Sequence, residues 1–325
     1  MVQTEIDVLG IGNAIVDVLS HAEDSFLDSH GLTKGAMALI DPDQVKTLYD
    51  TMGPGVEISG GSAANTIAGL ASFGGRGAFI GKVRDDRLGE VFAHDIRSLG
   101  VRFDTRPTSD GASTARCLIL VTPDAQRTLN TFLGACVELR SEDIDADLVE
   151  ASAVTYLEGY LWDPPQAKNA FRKAVEIAHN AGRKVALTLS DSFCVGRYRD
   201  EFCALVAGGA DIVFANETEL LSLYRVDTFD EGLQAIRENC EVAALTRSEK
   251  GSVIVDHEEV HVIDAAPVEH VVDTTGAGDL FAAGFLYGYT RGDGLAECGR
   301  LGSLAAAEII SHFGARPDVA LSTLV

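Results

Sequence analysis

Basic residues are scarce in this sequence: 26 Lys and Arg stand against 49 Asp and Glu over 325 residues, a net charge of −23. A field of that sign disfavours nucleic acid and anionic membrane surfaces, and an anionic nucleotide needs local donors to overcome it. The same acidity also serves plain solubility. The six cysteines (Cys117, Cys136, Cys194, Cys203, Cys240 and Cys298) form no C-x-x-C pair and have no His at metal spacing. They read as buried thiols in a reducing compartment. No apolar run is long enough to span a bilayer, and MVQTEIDVLGIG lacks the basic start of a secretory signal. The expectation is a cytoplasmic protein with neither nucleic-acid nor membrane partners. A G-x-x-x-x-G-K-[ST] loop, the protein-kinase signature set, repeats and low-complexity segments are all missing too, which excludes a P-loop enzyme.

What is present is an ordinary globular composition, 46% hydrophobic and 23% charged, long enough for one large domain or two smaller ones. In the second half, β-branched runs at Ala153–Glu158, Lys184–Leu189, Asp211–Ala215 and Val242–Thr246 alternate with helical patterns near Pro165–Ala181, Arg199–Ala207 and Thr228–Asn239. This rhythm predicts a parallel sheet covered by helices on both faces. Ligands of such sheets sit outside the carboxyl ends of the strands. Here those ends are polar (Glu158, Ser190-Asp191, Asn216-Glu217 and Thr246-Arg247-Ser248) and are expected to line one crevice. In the first half, Ile6–Gly12 and Ala78–Gly81 read as further core strands, and Ala63–Phe73 and Arg87–Leu99 as helices. Ala36–Asp41, Arg116–Val121 and Thr128–Leu133 alternate without helices between them and predict a small antiparallel sheet apart from the core. It fits a lid over substrate, or equally an edge extension or a dimer contact.

The strongest local signal is VDTTGAGDLFAAGFLYGYTR at 272–291. A Gly-Ala-Gly turn opens an apolar helix, where unpaired N–H groups and partial positive charge favour an anion. Gly276 and Gly278 let the backbone curl around a phosphate. Asp279 suits the dipole but repels the anion, so cradle and carboxylate together suggest phosphoryl transfer to a hydroxyl. Gly10-Ile-Gly12-Asn-Ala-Ile15 nearly spells a dinucleotide fingerprint, but Ile15 replaces its third small residue and an extended pattern follows. In Ile58-Ser-Gly60-Gly61-Ser-Ala-Ala-Asn65, paired glycines open a helix and Asn65 offers both donor and acceptor. Asp17 could accept from both hydroxyls of a diol; the alternative is a helix cap at Ser62. Asn216 and Glu219, one helical turn apart, suit either a capping box or a hydrated Mg²⁺. Thr246-Arg-Ser248-Glu-Lys-Gly251 is a nucleotide turn or a plain hairpin.

Together these segments resemble the ribokinase-like (pfkB-type) carbohydrate and nucleoside kinases over essentially the whole chain, with D-T-T-G-A-G-D at 273–279 the most specific match. Within that family the chain is most similar to the adenosine kinase branch. Gly12-Asn13-Ala-Ile15-Val-Asp17, Arg127-Thr-Leu129-Asn-Thr-Phe-Leu133 and the stretch from Cys298 to Ile310 carry the likeness. The resemblance implies a three-layer α/β fold with a mostly parallel sheet and a small β lid formed by about 13–41 and 102–134. It also implies ATP- and Mg²⁺-dependent phosphorylation of a ribonucleoside 5′-hydroxyl, adenosine to AMP in purine salvage, with a sugar kinase or another nucleoside as the alternative. Asp279 is then the general base, and the N–H groups of Gly276, Ala277 and Gly278 form the anion hole, with Arg127 reaching toward the transferred phosphate. Asn13, Asp17, Gly60, Gly61 and Asn65 hold the ribose, and Ile15, Leu129, Leu133 and Tyr160 enclose the base. Asn216, Glu219, Thr246, Ser248, Gly251 and Thr275 serve the nucleotide, with Glu219 holding Mg²⁺ through water. A monovalent-cation requirement, found in part of the family, and the choice between monomer and homodimer stay open. Ser248 stands where the family's nucleotide turn usually has Gly, and Thr275 where many adenosine kinases have Asn.

Overall fold

A computed structural model describes residues 4–124 and 126–325. The strands in these residues, in chain order, are β1 (Ile6–Ile11), β2 (Ile15–His21), β3 (Met37–Leu39), β4 (Val56–Gly60), β5 (Gly77–Ile80), β6 (Ala115–Val121) and β7 (Arg127–Phe132). They continue with β8 (Ser152–Glu158), β9 (Lys184–Thr188), β10 (Ile212–Asn216), β11 (Val242–Thr246), β12 (Ser252–Asp256) and β13 (Val260–Ile263). The main sheet has the order β13-β12-β11-β10-β9-β8-β1-β5. Its strands from β11 to β5 are all parallel, while β12 and β13 fold back antiparallel. The parallel strands are buried on both faces, which is why they read as continuous apolar runs rather than alternating ones.

Helices cover both faces. The helix Pro165–Asn180 begins at a proline and buries Ala167, Ala170, Phe171, Ala174 and Ala178, a stripe at helical spacing. Leu9 and Ile11 join the core on that side, and Val8 joins the core on the other, as the period of two in a strand requires. On the second face the helix Ala277–Arg291 packs between the helices Ser62–Ser72 and Leu295–Ile309. A Cβ on Gly284 would lie 2.4 Å from the Leu301 carbonyl oxygen, so glycine is what lets the last two helices approach this closely. This packing fixes the start of Ala277–Arg291 over the carboxyl ends of the strands.

The second sheet, β3-β7-β6-β2-β4, corrects the expectation of an antiparallel one. β6–β7 and β2–β4 are antiparallel, but β2 pairs with β6, and β3 with β7, in parallel. Between β2 and β6 the chain crosses into the main sheet as β5 before returning, and that crossover sets the direction. The sheet also recruits Val56–Gly60, outside the ranges expected for the lid, while Arg102 bridges Ala78 of the main sheet. Register puts Ile15, Asp17, Arg127 and Leu129 on one face and Val16, Val18, Leu118 and Leu120 on the other, buried in the core. No described helix is long and apolar enough to cross a membrane.

Candidate active site

Gly276 caps the helix Ala277–Arg291 with φ 78°, a left-handed conformation that suits glycine. The turn leaves the N–H groups of Gly276, Gly278 and Asp279 without a backbone acceptor, while that of Ala277 donates to the Thr274 carbonyl at 3.2 Å. Of the expected anion-hole donors, the Ala277 N–H is thus engaged within the turn, while the Asp279 N–H stands without a backbone acceptor beside those of Gly276 and Gly278. A Cβ on Gly278 would meet no protein atom and would project into open space, so the cradle has room for an anion and a side chain there would fill it.

Asp279, in that first turn, is held at both oxygens. Ser62 Oγ donates to Oδ1 at 2.7 Å and Asn65 Nδ2 to Oδ2 at 2.9 Å. Burial raises the Asp279 carboxyl above the usual aspartate range; the two hydrogen bonds and the Arg316 charge oppose the rise. Ser62 is thus not the helix cap the sequence suggested. Gly61 occupies that position with φ 101°, and the Ser62 hydroxyl serves the carboxylate instead.

Asp17 has no hydrogen-bond donor among the described residues, and its carboxylate rises to about 6, because burial outweighs the Arg316 and Arg127 charges while Asp279 adds to the rise. It lies against Gly60, where a Cβ would come within 2.4 Å of Oδ2. The side-chain amide oxygens (Oδ1) of Asn13 and Asn65 are buried and unpartnered. A free carboxylate and two orphaned acceptors at one site suit a ligand rich in hydroxyl donors. Glu158, at the end of β8, accepts from the Asn13 side chain at 2.6 Å, from the Ala63 N–H at 2.9 Å and from the Asn13 N–H at 3.3 Å. Its burial pushes the carboxyl up to about 7. The sequence marked Glu158 only as a polar strand end, yet it ties β1 to the helix that carries Ser62 and Asn65.

Arg127, buried on β7, pairs with Asp273 and donates to Thr275 Oγ1 at 3.3 Å. Asp273 also accepts from the N–H groups of Thr275 and Gly314. Arg127 is thereby tied to the anion turn. Leu129 shares its sheet face, with Ile15 further along, and Leu133 follows β7; all three are half-buried. Tyr160 is 42% exposed, with its N–H on Ser190 Oγ at 3.1 Å. Ser190 itself has φ 70°, a strained backbone for serine. Burial of its oxygen raises the Tyr160 phenol, and so do the charges of Asp191, Asp279, Glu219 and Glu158.

Asn216 and Glu219 form a full capping box: Asn216 Oδ1 accepts from Glu219 N–H at 2.9 Å, and the Glu219 carboxylate accepts from Asn216 N–H and Nδ2 at 3.0 and 2.6 Å. Glu219 is buried, which pushes its carboxyl up to about 7. Direct ligation would disrupt the box, so this pair suits a hydrated Mg²⁺ held through water. Among the described residues no three His, Cys, Asp or Glu side chains converge as a metal cage. The segment from Thr246 to Gly251 is a hairpin joining antiparallel β11 and β12. Ser248 takes φ 53°, the left-handed conformation natural to glycine, and Arg247 is drawn aside to Glu217 and the Phe229 ring. β8 to β11 are adjacent and parallel, so their polar ends line one edge as expected.

The pfkB family carbohydrate kinase profile matches residues 39–321. A solved structure described as the adenosine kinase from Sinorhizobium meliloti is 56% identical, covers 98% of each chain and superposes with a TM-score of 0.90. One from Rhizobium etli CFN 42, described as a probable sugar kinase, is 53% identical over 99% of this chain and 98% of its own, with a TM-score of 0.91. The adenosine kinase of Saccharomyces cerevisiae is 26% identical over 94% of both chains. With the matched profile spanning most of its length, the chain belongs to the pfkB family of carbohydrate kinases.

Proposed function

We propose that the chain transfers the γ-phosphoryl group of ATP to the 5′-hydroxyl of a ribonucleoside, with adenosine the favoured acceptor. The observation that carries this reading is the juxtaposition of Asp279, gripped by Ser62 and Asn65, with three free N–H donors at one helix start. Phosphoryl transfer asks for positioning and charge stabilisation more than for covalent chemistry. The cradle at Gly276–Asp279 stabilises the equatorial oxygens of the moving group. Asp279 orients the acceptor hydroxyl and takes its proton as the new P–O bond forms and the bond to ADP breaks. Asp17 and the orphaned side-chain amide oxygens of Asn13 and Asn65 accept from the ribose hydroxyls. Arg127 shares its charge between Asp273 and the transferred phosphate. Glu219 and Asn216 would hold a hydrated Mg²⁺ through its waters, and such an ion would supply charge screening for the phosphates of ATP. The small sheet acts as a lid that excludes water as a competing acceptor, and the enzyme works in the cytoplasm in purine salvage.

The half-buried apolar side chains of Ile15, Leu129 and Leu133 favour a nucleoside, since a free sugar suits a smaller and more polar pocket. A sugar acceptor is the second reading, favoured by the Rhizobium etli relative and by Thr275, a form shared with sugar kinases. A coupled assay of ADP release with ATP, Mg²⁺ and a panel of nucleosides and sugars separates the two. Turnover with adenosine and not with ribose or fructose is expected. ADP release dependent on a free sugar alone contradicts the nucleoside reading.

A further inference from the structure

Arg316 lies just beyond the last long helix, outside every motif the sequence offered, yet it reaches into the site. Its Nη1 donates to the Ala64 carbonyl at 2.9 Å, and its Nη2 to the Ser59 carbonyl at 2.5 Å and to Ser59 Oγ at 3.0 Å. Ser59 belongs to β4 of the small sheet, and Ala64 to the helix whose Ser62 and Asn65 hold Asp279. One planar fork thus joins the small sheet to the helix that orients the carboxylate. All three acceptors are neutral. The nearest chain of charge runs through Ser59, whose N–H and hydroxyl donate to Asp95 at 2.8 and 2.6 Å.

The site is short of positive charge. Asp279 is faced by Asp17 from β2, Glu158 and Tyr156 from β8, and Tyr160 from the turn after it. Asp17 is faced in addition by Arg127 and Cys117. Arg127 is already paired with Asp273. Arg316 is the largest charge opposing the rise of the Asp17 carboxyl, and Asp279 feels it as well. We propose that Arg316 is a positioning residue of the phosphotransfer site, which sets the helix Ser62–Ser72, whose side chains grip Asp279, against the small sheet and brings a buried positive charge to the side of the site that holds Asp17 and Asp279. This rests on the phosphotransfer reading above.

The test is the pH profile of kcat/KM for the full chain carrying Arg316→Met, Arg316→Gln or Arg316→Lys, with folding checked by near-UV circular dichroism. Losing the cation makes both carboxylates easier to protonate, so the acid limb moves to higher pH. In the neutral variants the limb is expected to rise by about one unit, roughly a tenfold loss of kcat/KM on that limb relative to its plateau. Arg316→Lys keeps the charge without the fork, so its limb stays with wild type while the acceptor KM rises. Arg316→Gln still carries the test where Arg316→Met misfolds. An unshifted limb in a folded neutral variant overturns the proposal, because a merely structural role lowers activity equally at every pH. A wild type that phosphorylates no acceptor defeats the reading of the site itself, and is distinguishable from an active wild type whose neutral variants show no shift.

Discussion

Replacing Asp279 by Asn removes the proton acceptor while keeping the shape of the side chain, and the structure indicates what else changes. Asn retains one oxygen for Asn65 Nδ2, and its amide can donate to Ser62 Oγ, whose hydroxyl turns to accept. The local network survives. The carboxylate's interaction with the helix start is lost, about 0.3–1 kcal/mol, but so is the cost of burying a charge that burial already disfavours. These terms oppose each other, and the melting temperature is expected to move by no more than about 2 °C. Loss of a general base costs about 10²–10⁴ in rate, or roughly 3–5 kcal/mol of transition-state stabilisation. Asp279→Asn should therefore lower kcat by at least about a hundredfold and leave acceptor affinity by calorimetry largely intact. A variant that keeps near wild-type kcat, or one that loses acceptor binding and turnover in proportion, refutes the assignment of Asp279 as base.

Stability and substrate binding are predicted to respond to pH with opposite signs. Asp17, Glu158 and Glu219 have folded-state values of about 6, 7 and 7, above their ordinary 3.8, 4.5 and 4.5, so the folded chain binds more protons than the unfolded one between about pH 4 and 7. Their contribution to stability is full below that window and is lost as pH rises through it. Thermal melts should show it, and a melting temperature that rises steadily from pH 5 to 8 contradicts these raised values. Acceptor affinity moves the other way, falling below about pH 6 as Asp17 gains a proton and can no longer accept from two hydroxyls; Asp17→Ala should abolish that dependence and weaken acceptor binding strongly. Ser248→Gly should not destabilise, although glycine normally does, because Ser248 already has φ 53°. A loss greater than about 1 kcal/mol in denaturant melts contradicts that view of the turn.

The parallel core was legible because each of its strands is a short apolar run ending in polar residues, and a helical stripe separates most neighbours. Val242–Thr246 falls where periodicity puts it, and the other core elements differ by one or two residues at their ends, where fraying leaves no sequence mark. Val56–Gly60 was not legible as a strand, since its short alternation runs directly into the glycines of the helix start. Pairing direction in the small sheet was hidden for a different reason: alternation is identical in parallel and antiparallel strands. In the site, the local motifs were readable in Asp279, Gly276, Asn216 and Glu219, where cap and ligand chemistry share residues. Ser62 as partner of Asp279, the three donors on Glu158 and the reach of Arg316 to Ser59 and Ala64 were not. Those contacts join residues 95 to 257 positions apart, and no local pattern encodes them.

The most direct test of the central claim is the identity of the product formed from adenosine, ATP and Mg²⁺, read by proton-coupled phosphorus NMR. Transfer to the 5′-hydroxyl gives a new monophosphate resonance split by two equivalent-coupled protons, the mark of a phosphate on the 5′-carbon, appearing in step with ADP and missing from Asp279→Asn. A phosphate split by a single proton places the group on a ring hydroxyl. That result, or phosphate appearing only on a free sugar, contradicts the account.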